Sequence, residues 1–429
     1  MTYASTKDET RRTWWVSTVS GMASYLDAAA IVSTGTALVL YTDAMGLTPE
    51  QIGQLSALLT IMIAIGAAVG GRASDLLGRR RVFIATMIVY TVGAVVLAAA
   101  VSPVMLYIGL ILLGFGVGAD LPASLAMISE SAPKGRKGRM VTYTHTLWIL
   151  GILIVNGIGM IVGNMGEVGA RVLYIHLVVV AVAVLILRSS LGESEEWQKS
   201  KTESVALNGG SSSNFSTMKE LFRTRYVVPL IALSIFYALT NIGSNTNGQF
   251  STYLYVEAAG SDVATASFWS FIAFLLNFAG VITMMRFVDT KWRVPAYIGG
   301  FLFKIVAFAI PALAGVSVPT LVLMAMLFSI GGSVSGEPLY KVWTQELFPA
   351  RFRSTAVGFS TAFTRLVAAA VALVTPGIIN GGPSTLFAFL VGTSLVSGCV
   401  AFFWIQRLPK AEGSATAEVD ESDSAAARS

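Results

Sequence analysis

Six ionisable side chains interrupt stretches of sequence that are otherwise apolar: Asp27, Asp120, Lys304, Glu337, Lys341 and Arg365. A charge at the centre of a hydrocarbon layer costs about 2.5 kcal/mol or more on insertion scales, so each is treated as a candidate for chemistry. Asp27 is the sharpest case. A carboxyl in an apolar helix can load and release a proton as its surroundings alternate; the alternative is a structural hydrogen bond to a neighbouring helix. Asp120 is a second proton-coupling candidate, with a gate or packing hydrogen bond as its alternative. Glu337 and Lys341 are one helical turn apart and can pair, although Glu337, between Gly336 and Pro338, could also face a cavity and touch a substrate. Arg365 cannot be neutralised and lies too deep to reach water easily. It therefore needs a partner, either Glu337 or a carboxylate on the substrate. Lys304 is read as a packing or snorkelling residue.

Neutral polar groups form a second set. Asn241, Ser244, Asn245, Thr246, Asn247 and Gln249 crowd into nine residues of one apolar segment. Amides and hydroxyls are the groups that replace water around a polyhydroxy ligand, and a half-broken helix there would line a cavity. Early emergence of that segment into water would explain Gln249 but less easily Asn241. Asn156 and Trp148 are weaker candidates of the same kind. The substrate-binding set is thus Asn241, Asn245, Asn156, Glu337 and Arg365. The two histidines, His145 and His176, fall far apart, so no metal site is expected. Gly114-Phe115-Gly116-Val117-Gly118 lies inside an apolar helix with no strand before it, which fits close helix packing rather than dinucleotide binding. No nucleotide-binding loop is present, and no cofactor is expected.

The elements that must position these residues follow from composition. Of 429 residues, 54% are hydrophobic and 12% charged, about half the charge usual in soluble chains. Apolar runs near 18–41, 51–71, 82–101, 104–129, 140–163, 171–190, 226–250, 262–286, 294–314, 318–344, 354–379 and 383–407 are each long enough to cross a bilayer, which takes about 20 residues. The predicted fold is an all-α membrane protein of twelve transmembrane helices in two pseudo-symmetric six-helix bundles, 18–190 and 226–407. Around these lie a cytoplasmic N-terminal segment (1–17), a cytoplasmic linker (191–225) and a disordered cytoplasmic tail (408–429). With both termini in the cytoplasm, every Lys and Arg lies on the cytoplasmic side or flank except Arg171, Lys304 and Arg365. That asymmetry sets the orientation and accounts for the net charge of +5, leaving nothing for a nucleic-acid partner to explain. The single Cys399 permits no internal disulfide.

A repeat runs through the two halves. Glu130, Pro133 and Lys137 recur as Glu346, Pro349 and Arg353, and the charges after span 2 recur as Asp289, Lys291 and Arg293 after span 8. One half-chain offset shared by two motifs points to a duplicated six-helix unit. The run of 71–81, with Gly71, Asp75, Gly78, Arg79, Arg80 and Arg81, resembles the loop 2–3 signature of the major facilitator superfamily. The segments 130–138 and 346–354 resemble the Glu-x-x-Pro-x-x-x-Arg loops of its sugar and metabolite proton symporter branch. Gly192-Glu193-Ser194-Glu195-Glu196-Trp197 is similar to the stretch after span 6 in sugar porters. Leu110 stands where those porters carry an arginine facing the span 1 acid, and Tyr237 and Ala238 stand at their glutamine pair.

The resemblance implies a secondary transporter, not an enzyme, that imports a small polar metabolite by alternating access with a proton. A sugar or polyol comes first, because of span 7 and the loops, and a small organic acid next, because of Arg365. The alternative is a proton-driven antiporter exporting a drug or metabolite. Asp27 matches the family's proton-linked acid. A cytoplasmic gate is implied at Gly71, Asp75, Gly78, Arg79, Arg80, Glu130, Glu346 and Arg353. The expected setting is a monomer in the plasma (inner) membrane, its partners being substrate, protons and the lipid bilayer.

Overall fold

The computed structural model describes residues 2–131, 137–193, 198, 221–284, 292–348 and 350–410. Most of the expected linker, the tail beyond Lys410, and Pro133, Asp289, Lys291 and Pro349 lie outside the described residues, as do the side chains of Asp75, Lys137 and Arg353. Among the described residues there is no strand, and twelve helices are long and apolar enough to cross a membrane. Hydrocarbon offers the backbone no hydrogen-bond partner, so a crossing segment must satisfy its own N–H and C=O groups.

Spans 1 to 9 are α1 (Thr2–Met45), α2 (Pro49–Leu77), α3 (Arg79–Ala98), α4 (Pro103–Ser131), α5 (Lys137–Val162), α6 (Glu167–Ser189), α7 (Val227–Tyr253), α8 (Val263–Met284) and α9 (Arg293–Ala314). Span 10 is two helices, α10 (Val318–Ser335) and α11 (Glu337–Leu347); spans 11 and 12 are α12 (Ala350–Gly381) and α13 (Pro383–Cys399). The ends follow local chemistry. Thr48 and Gln51 form a reciprocal capping box before Pro49. Asp262 accepts hydrogen bonds from the backbone N–H and hydroxyl of Thr265 at 2.9 and 2.7 Å, which hold its carboxyl below the usual carboxylate range. Gly78 separates spans 2 and 3 at φ 101°, a conformation that penalises any side chain.

Two elements depart from expectation. Helix α1 continues back through the polar N-terminal segment to Thr2, because nothing in 2–17 breaks a helix. Span 7 is continuous through its amides and ends in a π-helical turn, Leu254–Ala258. The broken helix is span 10 instead. Pro338 supplies no N–H and its ring would clash with the carbonyl four residues earlier in a continuous helix, and Gly336 takes φ −103° and ψ −134°, so the chain restarts at Glu337 with Pro338 in the first turn.

The chain groups into two compact units. The first holds residues 1–210 with 246–275 and 369–381, so the ends of spans 7, 8 and 11 remote from the termini pack with spans 1 to 6, unlike a simple division into 18–190 and 226–407. In it Gln249 donates to the Thr60 hydroxyl at 3.0 Å, Thr36 and Thr252 hydroxyls lie 3.1 Å apart, and Tyr253 donates to Asn380 at 3.1 Å. Spans 2 and 4 meet backbone to backbone: a β-carbon on Gly118 would stand 2.1 Å from the Ile63 carbonyl oxygen. This is the packing read from 114–118. The second unit holds 211–245, 276–368 and 382–429. Its core is built from Leu233, Phe236, Tyr297, Phe301, Trp343 and Phe348.

A buried ion pair ties four helices of the first unit together. Arg188 of span 6 and Asp120 of span 4, both with side chains 0% exposed, are in contact. The guanidinium also donates to the Ser20 and Val19 carbonyls of span 1, at 2.9 and 3.3 Å, and to the Ser124 hydroxyl at 3.1 Å. Its Cζ lies over the Phe83 ring of span 3, 4.5 Å from the ring centre, and Thr86 of the same span donates to Asp120. Breaking a buried pair by removing one partner costs about 3–5 kcal/mol, whereas replacing both by apolar groups is far milder. Arg188→Gln should therefore lower the melting temperature of the purified protein sharply, and Asp120→Leu with Arg188→Met should recover most of the loss. Gly118→Leu, which forces two backbones apart, should cost about 3 kcal/mol in the same assay.

Candidate functional site

In the first unit the central residue is Asp27, 4% exposed on span 1. The Trp148 indole N–H of span 5 donates to its Oδ2 at 3.3 Å. One turn before Trp148, His145 stacks flat on the indole, centroids 5.7 Å apart and planes 6° from parallel. Two residues before Asp27, the Tyr25 hydroxyl and His176 Nε2 of span 6 are 2.7 Å apart. Tyr90 of span 3 donates to the Leu26 carbonyl at 3.4 Å. His145 thus reaches the acid only through the Trp148 indole. Asp120 is committed to Arg188, Thr86 and Ser124. Asn156 turns its amide onto the Ile152 carbonyl of its own helix at 2.9 Å.

In the second unit Asn241 and Asn245 are half-buried on span 7. Glu337 and Lys341 pair at 2.8 Å on α11, as their spacing predicted, with side chains 37% and 54% exposed. A charged pair this open near the end of a span belongs against water rather than lipid. One helical step away Tyr340 stacks on Tyr237 with centroids 4.0 Å apart and planes 6° from parallel. Arg365 is half-buried on span 11. Lys304 is 1% exposed, its ammonium 5.3 Å from the Phe301 ring centre, so it packs rather than snorkels.

The residues of the expected gate form two related clusters. Arg79 holds Glu130 with Nη2 to Oε1 at 2.7 Å and Nε to Oε2 at 3.4 Å, and donates to the Ser74 hydroxyl at 3.1 Å. Arg80 donates to the Ser189 carbonyl at 3.0 Å. In the other half Arg293 and Glu346 pair at 2.7 Å, so the sequence repeat returns as one ion pair per half. Gly71 packs on Pro122. Helix α3 has no side-chain cap of its own. Glu193 supplies one, accepting from the backbone N–H of Arg79 at 2.8 Å and of Arg80 at 3.3 Å, where a carboxylate also complements the helix dipole. Sequence reasoning placed Glu193 in a linker and Arg188 among the flanking positive charges. The signal for Arg188 was the buried Asp120, which required a cation in reach.

Residues 14–303 match the profile of the Major Facilitator Superfamily, and 198–421 that of the Sugar (and other) transporter family. The minor myo-inositol transporter IolF of Bacillus subtilis (strain 168) is 28% identical over 407 residues, 94% of this chain and 92% of its own. The glucose transporter GlcP of Staphylococcus epidermidis is 25% identical over 418 residues, 91% and 92% of the two chains. A crystal structure of a D-xylose-proton symporter superposes with a TM-score of 0.77 over 93% of this chain and 98% of its own, at 18% identity, a likeness of fold. Twelve spans, a repeated Arg–Glu ion pair and two matching profiles agree: the chain belongs to the major facilitator superfamily, within its sugar (and other) transporter family.

Proposed function

We propose that this secondary active transporter imports a sugar or polyol with a proton, that Asp27 carries the proton, and that Asn241, Asn245, Asn156, Glu337 and Arg365 serve substrate recognition. Asp27 carries the proposal: an acid buried in the first span and held by a neutral N–H donor, while Asp120 is tied to an arginine. The choice of sugar or polyol is supported by the half-buried amides of span 7 and by relatives named for myo-inositol and glucose. The half-exposed Lys341 and Arg365 favour a small carboxylate as the second substrate class. The clusters of Arg79 with Glu130 and Arg293 with Glu346 act as the cytoplasmic gate, together with Asp75 and Arg353. The proposed setting is a monomer in the plasma membrane with both termini in the cytoplasm, an orientation supported by the distribution of basic residues.

A ligand bound only by the folded state raises apparent stability. Purified protein should therefore melt higher with myo-inositol, glucose or xylose than with small organic acids, and a response to carboxylates alone would favour the second class. Arg365→Gln should weaken sugar binding in the first case and abolish carboxylate binding in the second; undiminished recognition of a neutral sugar by a stable Arg365→Gln variant would exclude Arg365 as a substrate anchor. Asp27→Asn should lose concentrative, pH-driven uptake in proteoliposomes while still exchanging labelled for unlabelled substrate, because exchange needs no net proton movement. Concentrative uptake by that variant would place coupling elsewhere.

A further inference from the structure

Asp27 receives a hydrogen bond of a different kind from those of Glu130 and Asp120. Glu130 and Asp120 are each bound to a guanidinium. Asp27 receives an indole N–H, which can donate but not accept and carries no charge. Such a donor favours the carboxylate, yet more weakly than a cation would, and leaves the acid able to change state. The indole is also held in direction: one face lies parallel to the His145 ring, and the helical repeat keeps His145 and Trp148 on one side of span 5.

We propose that Trp148 is the positioning residue of the coupling acid, its N–H setting the proton affinity at which Asp27 loads and releases. This rests on Asp27 being the proton carrier. The proton exchanged is the one that joins or leaves the Asp27 carboxylate from solution; the indole keeps its own throughout. Loading weakens the carboxyl oxygen as an acceptor and loosens the bond from span 5 to span 1, so proton binding alters a contact between two helices. The titratable and charged groups around this pair are His145 on the same helix, Tyr25 on span 1 with its partner His176 of span 6, and Tyr90 of span 3. The Asp120–Arg188 pair lies further along span 1, at the level of Val19 and Ser20. Leu110 on span 4 contributes no charge and is fully buried.

The sign of the effect follows. Without the donor the carboxylate is less favoured, so release of the proton requires a higher pH. Trp148→Phe keeps a ring against His145 and removes the N–H. The pH of half-maximal concentrative uptake should move about one unit to the alkaline side, a tenfold gain in proton affinity. An infrared pH titration of the Asp27 carboxyl band, assigned by its absence in Asp27→Asn, should move by the same amount. Should the Phe variant fail to fold, benzothienylalanine at position 148, a tryptophan isostere with sulfur in place of N–H, should give the same shift. A wild-type pH profile and infrared titration in a folded variant lacking the donor would overturn the assignment to Trp148. If Asp27→Asn has lost coupling, that result leaves Asp27 as the carrier. If Asp27→Asn still concentrates substrate, it is the proton-carrier reading that has failed.

Discussion

Hydrocarbon does not solvate charge, and the placement of nearly every polar group in this protein follows from that constraint. Arg188 is fully buried, so its guanidinium is occupied by a carboxylate, two carbonyls and a hydroxyl. The same necessity that makes the pair costly to break makes it a tie among spans 1, 3, 4 and 6. Glu337 and Lys341 meet the constraint differently, by pairing with each other at an exposed site. Asp27, 4% exposed, accepts the indole N–H of Trp148.

Backbone closeness supplies the second structural theme. Where Gly118 faces Ile63, and where Gly35 faces the Gln249 carbonyl with room for no side chain, helices meet without side chains between them. Such contacts are tight but depend on few directional bonds. The hydroxyl and amide bonds of Thr36, Thr60, Thr252 and Gln249 give the seam at the ends remote from the termini its polar complement. Neutral hydrogen bonds of this kind contribute about 1 kcal/mol each, weak enough to be remade during a transport cycle. By contrast, the charged pairs of Arg79 with Glu130 and Arg293 with Glu346 lie toward the terminal side of their halves.

How far the sequence could be read depended on the range of the physics involved. The twelve spans were legible because about 20 apolar residues in a row have one use, and the repeat was legible because its charges recur at one offset. The pairing of Glu337 with Lys341 was fixed by helical periodicity. The break in span 10 had a local signal in Gly336, Glu337 and Pro338, but the denser polarity of span 7 drew attention there instead. Arg188 and Glu193 were misplaced because both lie near the end of an apolar run, where a charge ordinarily signals topology. Their roles rest on partners 68 and 114 residues away. Trp148 stood out only as a weaker binding candidate, because its contact with Asp27, 121 residues away, comes from the packing of span 5 on span 1.

The central claim is that substrate and proton enter together. It is tested most directly by adding myo-inositol or glucose to weakly buffered, de-energised proteoliposomes and following the external pH. The account predicts an immediate alkalinisation of the medium that is abolished by a protonophore and absent with Asp27→Asn. Entry of labelled substrate with no change in external pH would contradict it.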